Sequence, residues 1–575
     1  MAIDADAVAL DGPEADMTGP EMAPQLANAA IWFAPDGFDP SRGINGRRMA
    51  GDSFLRGWIR HAVMRECVAL THGPGDAGVF RDLVTALRPD MPVRVERLDD
   101  ARAIAPVGTM FFSGPNFATE AWRRSLWGET AYSICGLTHT MSTKAVMEGA
   151  YHLRTAPQAA WDAVICTSRA VRAAAEAQMD MIDAFLSRRF AGTLPPRPQL
   201  PVIPLGIDCD EFHPDPASGG ALRAELGIPQ GDCVALVVAR LSPHEKFDPL
   251  PVYLALQRAR QGADRNLHLV LYGNFPDDYS RRIFLSTAAR FMPDVGLHHV
   301  AHAGPARRLA ALSAADLFLF PIDNLQESFG IAPVEAMAAG LPVVAADWDG
   351  IRDTVDETCG IRVPSTGARP EHVTATGLRY HGGTDSYIQY LGQVSAVTAL
   401  DVGRMAAGIR ALMDSPDLRA RMGAAGRERA RRHFDWSVIV PRMQALFAEL
   451  DAIRLAADSA RHPRLSPHEL PVGPSPMALF AAFPTRQLAR GARFFWTGTA
   501  TLSVAEAFAL RDYQATRRLF ETPEHVEATA KVLQARGSAT AAELAQDLGH
   551  PLLRVERCLL WLMKYGYADL EEEPA

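Results

Sequence analysis

Residues 327–350 read ESFGIAPVEAMAAGLPVVAADWDG, and their order decides the fold. The apolar run DLFLFP at 316–321 comes just before them. After the glycine turn at Gly330 come PVEAMAAG and then LPVVAAD. That is strand, loop, short helix and strand, a unit of a parallel α/β sheet. Glu327 then lies just past the C-terminal end of a buried strand, the edge where open α/β sheets bind ligands. Pro333 suits a first helical turn, because its missing N–H would be unpaired there anyway. This reading puts Ala332 at the cap and Glu335 in the first turn. The two acids therefore face one cleft from a loop and a helix start. Gly330 lets the backbone approach a ligand closely, and the N–H groups of a helix start favour an anion such as a phosphate. A carboxylate there can accept hydrogen bonds from ligand hydroxyls and fix their orientation. Taken alone, Glu335 has a second reading, as a charge that complements the helix dipole.

The same alternation extends outward in both directions. ECVALTHG, VGTMFFSG, YSICGLTHT and WDAVICTS read as strands, separated by helical stretches and followed by RAVRAAAEAQMDMIDAFLSRRF. The segment PVIPLGIDCDEFHPD at 201–215, with its three prolines, reads as a linker. Alternation resumes with CVALVVARL, LPVYLALQRARQG and LHLVLYGN. Near-continuous apolar strands suit a sheet covered on both faces. The expected fold class is α/β, with two doubly wound Rossmann-like domains facing a cleft and a small helical C-terminal domain. The expected organisation is a disordered leader at 1–27, a first domain at 28–205 and a second at 206–437. A crossover helix and Pro-rich linker follow at 438–477, then a connecting arm at 478–521 and a winged-helix-like domain at 522–575.

Composition narrows the classes. The chain has 575 residues, 48% hydrophobic and 22% charged, with a net charge of -9. Nothing in that balance suggests a nucleic-acid partner. Seven cysteines are scattered without a C-x-x-C pair, which argues against a disulfide framework or a Cys-based zinc site and for a reducing cytoplasm. The N-terminal stretch has no basic n-region and long apolar run, so it does not read as a signal peptide. No stretch approaches the ~18 consecutive apolar residues of a membrane span.

The first strand of the second domain runs into ARLSPHEKFDPL, which places Arg240 and Lys246 on one loop at a strand's C-terminal end. Two cations there can neutralise a diphosphate leaving group. ARLSPHEKFD, LHLVLYGN and ESFGIAPVEAMAAGLPVVAADWDGIRDTV, in that order, resemble the nucleotide-sugar domain of group 1 (family 4) retaining glycosyltransferases, which have the GT-B fold. The resemblance is close over roughly 200–450 and loose over 28–200. It implies that Arg240 and Lys246 grip the donor diphosphate and that Glu335 holds the ribose hydroxyls. Glu327, Phe329, Gly330 and Ile331 would line the transferred sugar and phosphate. His139, in GLTHTMS, would stand near the donor sugar, and Gly46, with Arg47 in GINGRRMAG, near the diphosphate. Ala239 and Phe247 stand where relatives carry glycine, and GINGRRMAG departs from their double-glycine loop.

The reaction so implied is metal-independent hexosyl transfer with retention, of the kind used in polysaccharide biosynthesis. It needs no cofactor beyond a nucleotide-diphosphate sugar as donor, and its acceptor is a hydroxyl of a glycan or lipid-linked molecule. Other enzymes of this fold, sugar-nucleotide epimerases and phosphorylases, form a second reading. A DNA-binding regulator is a third, prompted by the helical tail. Against it, residues 523–575 hold five Lys/Arg and nine Asp/Glu, the wrong balance for phosphate binding, so the tail reads as a protein-contact module. RQLARGARFFWTG leaves two readings open: contact with a membrane surface that holds a lipid acceptor, or an arm packed across the first domain. The expected location is cytoplasmic, with peripheral contact at the inner membrane face under the first of these.

Overall fold

Six short apolar runs come together as the first sheet: β1 (Ala30–Trp32), β2 (Cys67–Thr71), β3 (Val93–Arg97), β4 (Thr109–Phe111), β5 (Ser133–Leu137) and β6 (Ala163–Ile165). Their order is β3-β2-β1-β4-β5-β6, and every pairing is parallel. The computed structural model describes residues 27–38, 46–98, 100–462, 464–466, 469–511 and 521–571. The proposed leader at 1–27 lies, but for Ala27, outside the described residues. Segment 199–203 is not a bare linker, because Gln199 and Val202 bridge in parallel to Ala163 and Cys166 and extend the sheet.

The second sheet repeats the plan with β7 (Cys233–Val238), β8 (Leu267–Tyr272), β9 (Val295–Val300), β10 (Leu317–Phe320), β11 (Val343–Ala346) and β12 (Gly360–Val363). Its order is β12-β11-β10-β7-β8-β9, again all parallel. β10 and β11 are buried along their whole length, as strands sandwiched between helix layers must be. The connecting helices start where capping chemistry allows. Asp248 caps Pro249–Arg260, with proline in the first turn, and Ser168 caps Arg169–Phe190. Both devices satisfy or remove N–H groups that have no helical partner. A short antiparallel pair, β13 (Ser365–Thr366) and β14 (Ala399–Leu400), closes the base of an excursion built from helices Pro370–His381 and Tyr387–Ser395.

Helix Trp436–Ala456 returns the chain to the first sheet. A Cβ on Gly57 or Gly206 would meet the Trp436 ring at 2.3 and 2.5 Å, so glycine at both positions is what admits the indole. Its Nε1 donates to Ser53 Oγ at 2.8 Å. Phe447 of the same helix packs against Trp58 and Phe111 at 5.9 and 6.3 Å. One apolar core thereby runs through both domains.

The chain divides into two compact units between Val472 and Gly473, which corrects the expected arm at 478–521. Strand β15 (Arg493–Trp496) is the centre of an antiparallel sheet with β16 (Ser538–Thr540) and β17 (Ala568–Leu570), in the order β16-β15-β17. Phe494, only 1% exposed, belongs to the core of that unit, with Leu533, Leu544, Leu559 and Leu562. The aromatic run, left open between membrane contact and an arm across the first domain, therefore forms the central strand of this unit's own sheet. The three helices expected in the tail are Pro523–Arg536, Ala541–Leu548 and Leu552–Lys564, with left-handed Gly537 and Gly549 at the turns. A chain ended at Val472 is expected to keep a single cooperative urea transition for the larger unit. A chain ended at Glu521 strips β15 of both partners and exposes Phe494, and should bind a hydrophobic dye in native buffer. Equal dye binding by the two would overturn the boundary.

Candidate functional site

The strand order locates the site. From β7 the chain winds outward through β8 and β9, and from β10 it winds the other way through β11 and β12. The loops after β7 and β10 therefore diverge and leave a crevice at the carboxyl edge, the general ligand position of such sheets. Arg240 and Lys246 lie on the first loop and Glu327 on the second. Lys246 Nζ donates to Glu327 Oε2 at 2.8 Å, and Gly330 N–H donates to Glu327 Oε1 at 3.2 Å. Burial pushes the Glu327 carboxyl up, but the Lys246 ammonium and the Gly330 and Ser328 N–H groups outweigh it and hold it below the usual carboxylate range. Glu327 is thus an ionised acid in a low-dielectric place. Arg240 donates to Gln326 Oε1 at 2.9 Å and lies 3.3 Å from Glu245.

Asn324, fully buried, ties three loops together. Its Nδ2 donates to Lys246 O at 2.6 Å, its Oδ1 accepts from Gln326 N–H at 2.9 Å, and its backbone carbonyl accepts from Trp348 Nε1 at 2.9 Å. A buried amide with its polar atoms engaged holds a loop rigidly, because every alternative strands one of them.

The helix after the turn starts two residues earlier than its proline suggests. It spans Ile331–Ala338 with Gly330 as cap at φ 84°, ψ 72°, a left-handed conformation that suits glycine. Pro333 is then the third helical residue and Glu335 the fifth. Phe329 needs correction as a lining side chain: it is 1% exposed and packs edge-on against Phe434 at 5.8 Å. Only its backbone remains for a ligand. Ile331, half-buried, opens the helix. Glu335 receives Arg308 Nη1 at 2.9 Å, and Arg308 lies over the Phe212 ring at 5.1 Å. Burial raises the Glu335 carboxyl, Glu211 adds to the rise and Arg308 opposes it. Arg308 comes from helix Pro305–Ala314, after β9, and no local motif in the sequence pointed to it.

In the first sheet the winding reverses between β1 and β4. His139, past β5, has its Nε2 3.1 Å from Ser113 O, past β4. Gly37, Phe38, Gly51, Ser113, Leu137 and His139 line a small cavity there. Gly46 is the first residue of helix Gly46–His61, and residues 39–45 of its loop lie outside the described residues.

Residues 233–376 match the family described as "Glycosyl transferases group 1". The whole of the second sheet, β7 to β12, falls inside that match. The chain is 28% identical over 283 residues to the GDP-mannose-dependent alpha-(1-6)-phosphatidylinositol monomannoside mannosyltransferase of Mycobacterium tuberculosis, covering 48% of this chain and 62% of that protein. It is 25% identical over 353 residues to the alpha-maltose-1-phosphate synthase of Mycolicibacterium smegmatis, covering 58% and 79%. The chain thus spans about three fifths of the mannosyltransferase's length. Among solved structures, Anabaena HepE in complex with UDP and glucose aligns over 73% of this chain and 98% of its own, at 16% identity and a TM-score of 0.48.

The second domain reaches the first through two contacts that the sequence did not announce. Helix Arg169–Phe190 begins against the loop after β11. Arg169 N–H and Nε donate to Asp353 at 2.6 and 2.7 Å, and the Ser168 side chain hydrogen bonds to Asp349. The excursion supplies the second contact: Tyr387 OH lies 2.8 Å from Ser142 Oγ, and Lys144 N–H donates to Tyr380 OH at 2.9 Å. The Asp349–Gly350 pair carried a turn signal, whereas the tyrosines carried none. Asp349 has φ 47°. Burial, with Glu327 adding its charge, raises its carboxyl to about 7.

The sign of the resulting pH dependence follows from linkage. Between about pH 4 and 7 folded Asp349 holds a proton that the unfolded chain has released. Its favourable contribution is complete below about pH 4 and is lost as pH rises through about 7. Asn tolerates a left-handed φ, so Asp349→Asn keeps the backbone. Urea titrations of variant and parent should agree near pH 4, and the variant should be the more stable at pH 8. A difference independent of pH would contradict the placement of this carboxyl.

Proposed function

We propose that the chain transfers a hexosyl unit from a nucleotide-diphosphate sugar to an acceptor hydroxyl, with retention at the anomeric carbon. The observation that carries this reading is the half-buried Lys246–Glu327 pair beside a helix start, at the strand-order reversal of the domain in which residues 233–376 match the group 1 family. Arg240 and Lys246 supply positive charge where the leaving diphosphate accumulates negative charge, a role that needs no metal. The helix start at Ile331 offers N–H groups to the same phosphates. Glu335, oriented by Arg308, receives the ribose hydroxyls, and Glu327 those of the transferred sugar. His139 contacts that sugar from the first domain, and Gly46 approaches the diphosphate. A glycosidase-type double displacement requires two carboxyl groups about 5–5.5 Å apart at the anomeric carbon. With Glu335 assigned to the ribose, a leaving phosphate oxygen takes the acceptor proton on the same face while the new C–O bond forms and the old one breaks.

The acceptor is a glycan or lipid-linked hydroxyl, in keeping with the phosphatidylinositol monomannoside in the name of the mannosyltransferase relative. The small unit adds no nucleic-acid partner: Arg554 and Arg557 of helix Leu552–Lys564 both donate to Glu521, which neutralises the cations a recognition helix would need. It leaves room for a protein partner there. We assign the enzyme to the cytoplasm. All seven cysteines are free thiols, as suits a reducing compartment. Among the described residues no helix is long and apolar enough to cross a membrane.

Glu335→Ala should weaken nucleotide-sugar binding, and Glu327→Ala should lower kcat, each by about 1–3 kcal/mol for the loss of a buried polar partner. Calorimetric titration with UDP- and GDP-sugars and a transfer assay read the two effects, and wild-type values for both variants would refute the assignment. Transfer should also persist after EDTA treatment, because the cations at the diphosphate are side chains. Activity lost on chelation and restored by Mg²⁺ or Mn²⁺ would reverse that assignment.

A further inference from the structure

Residues 470–505 contain no Asp or Glu and carry Arg486, Arg490 and Arg493, in a chain whose net charge is -9. At the start of this basic stretch lies an exposed apolar turn. Met477, Leu479 and Phe483 are 60%, 62% and 81% exposed, and Phe480 is 40% exposed. The turn is ordered by its own contacts. Pro476–Leu479 is helical, Phe483 N–H donates to Phe480 O at 2.9 Å, and Gln487 Nε2 donates to Met477 O at 2.6 Å. The Phe480 and Phe483 rings lie 4.8 Å apart. These side chains have no place in the core of the small unit, whereas Phe494 farther along is buried in it. The arginines divide in the same way. Arg493 pairs with Glu543, while Arg486 and Arg490 are exposed and have no ion-pair partner among the described residues.

We propose that the Met477–Phe483 turn, with Arg486 and Arg490, docks on an anionic lipid surface. An apolar tip flanked by unpaired guanidinium groups fits the boundary between acyl chains and headgroups. The rings and aliphatic side chains enter the acyl edge, and the cations remain at the level of the lipid phosphates. The charge argument selects this occupant. The stretch is positive while the chain as a whole is acidic, so an anionic bilayer attracts it and a second copy of the chain brings net repulsion. A single short turn with two cations gives reversible binding rather than permanent anchoring. The inference goes beyond the glycosyltransferase reading and stands apart from it, since lipid binding is read without a sugar donor.

The test is sedimentation of the full chain with vesicles of phosphatidylcholine alone and of an equal mixture of phosphatidylcholine and phosphatidylglycerol. The parent should bind the mixed vesicles, bind phosphatidylcholine far less, and release as salt is raised. Each arginine near an anionic surface contributes about fivefold in partitioning, so Arg486→Glu/Arg490→Glu should weaken binding by at least about twentyfold. Phe480→Ser/Phe483→Ser should weaken it about tenfold or more. Both variants alter exposed side chains only, and their thermal transitions should match the parent's. Failure of the parent to bind mixed vesicles, equal binding to both vesicle types, or parent-like binding by both variants would overturn the proposal. So would a self-association lost in the phenylalanine variant without any lipid binding, which would assign the turn to a second copy.

Discussion

The ion pair between Lys246 and Glu327 sets the geometry on which the rest of the site depends. It joins the loops that leave adjacent strands β7 and β10, where the chain's winding reverses. Two half-buried charges recover the hydration they lose from each other and from nearby dipoles. Glu327 does so through Lys246 and through the N–H groups of Gly330 and Ser328. That demand shapes the turn. Accepting from Gly330 folds the chain back over three residues, and the left-handed glycine then launches the helix. One turn further on, Glu335 meets Arg308. The eight-residue spacing of the two acids is therefore the length of one tight turn plus a little over one helical turn.

The pair is braced from outside. Asn324 holds Lys246's carbonyl and Trp348's indole, which keeps the loops after β7, β10 and β11 in register. The last of these carries Asp349, whose proton is held partly by the negative charge of Glu327 and which hydrogen bonds to Ser168 in the first domain. Charge in the crevice is thus felt at a contact between the two domains. The excursion after β12 makes a second such contact through Tyr380 and Tyr387.

Much of this was legible because central parallel strands cannot hide. CVALVV, LHLVLY, LFLF and VVAA are apolar on both faces and announce themselves. Apart from the three-residue β1, which was not named as a strand, the parallel strands that escaped notice, β3, β9 and β12, are all sheet edges. Their sequences, VRVER, VGLHHV and GIRV, carry charge or histidine because an edge is only partly covered. Arg308 escaped for the same reason, since its helix is placed by β9. The helix start at 331 was misjudged because Pro333 was taken for its first residue, whereas the glycine conformation that sets the start is not written in composition. In the small unit, RFFW lacks the polar alternation of a half-exposed strand, and its partners lie far along the chain, so its place in a sheet could not be read locally.

A double-mutant cycle tests the account most directly. Donor affinity would be measured by calorimetric titration of UDP- and GDP-sugars into the parent, Lys246→Met, Glu327→Gln and the double variant. If the two side chains act as one unit in the crevice, each single change weakens binding and the two couple by roughly 1–3 kcal/mol. Effects that add within about 0.5 kcal/mol, or single variants with parental affinity, would contradict the claim that this pair organises the site.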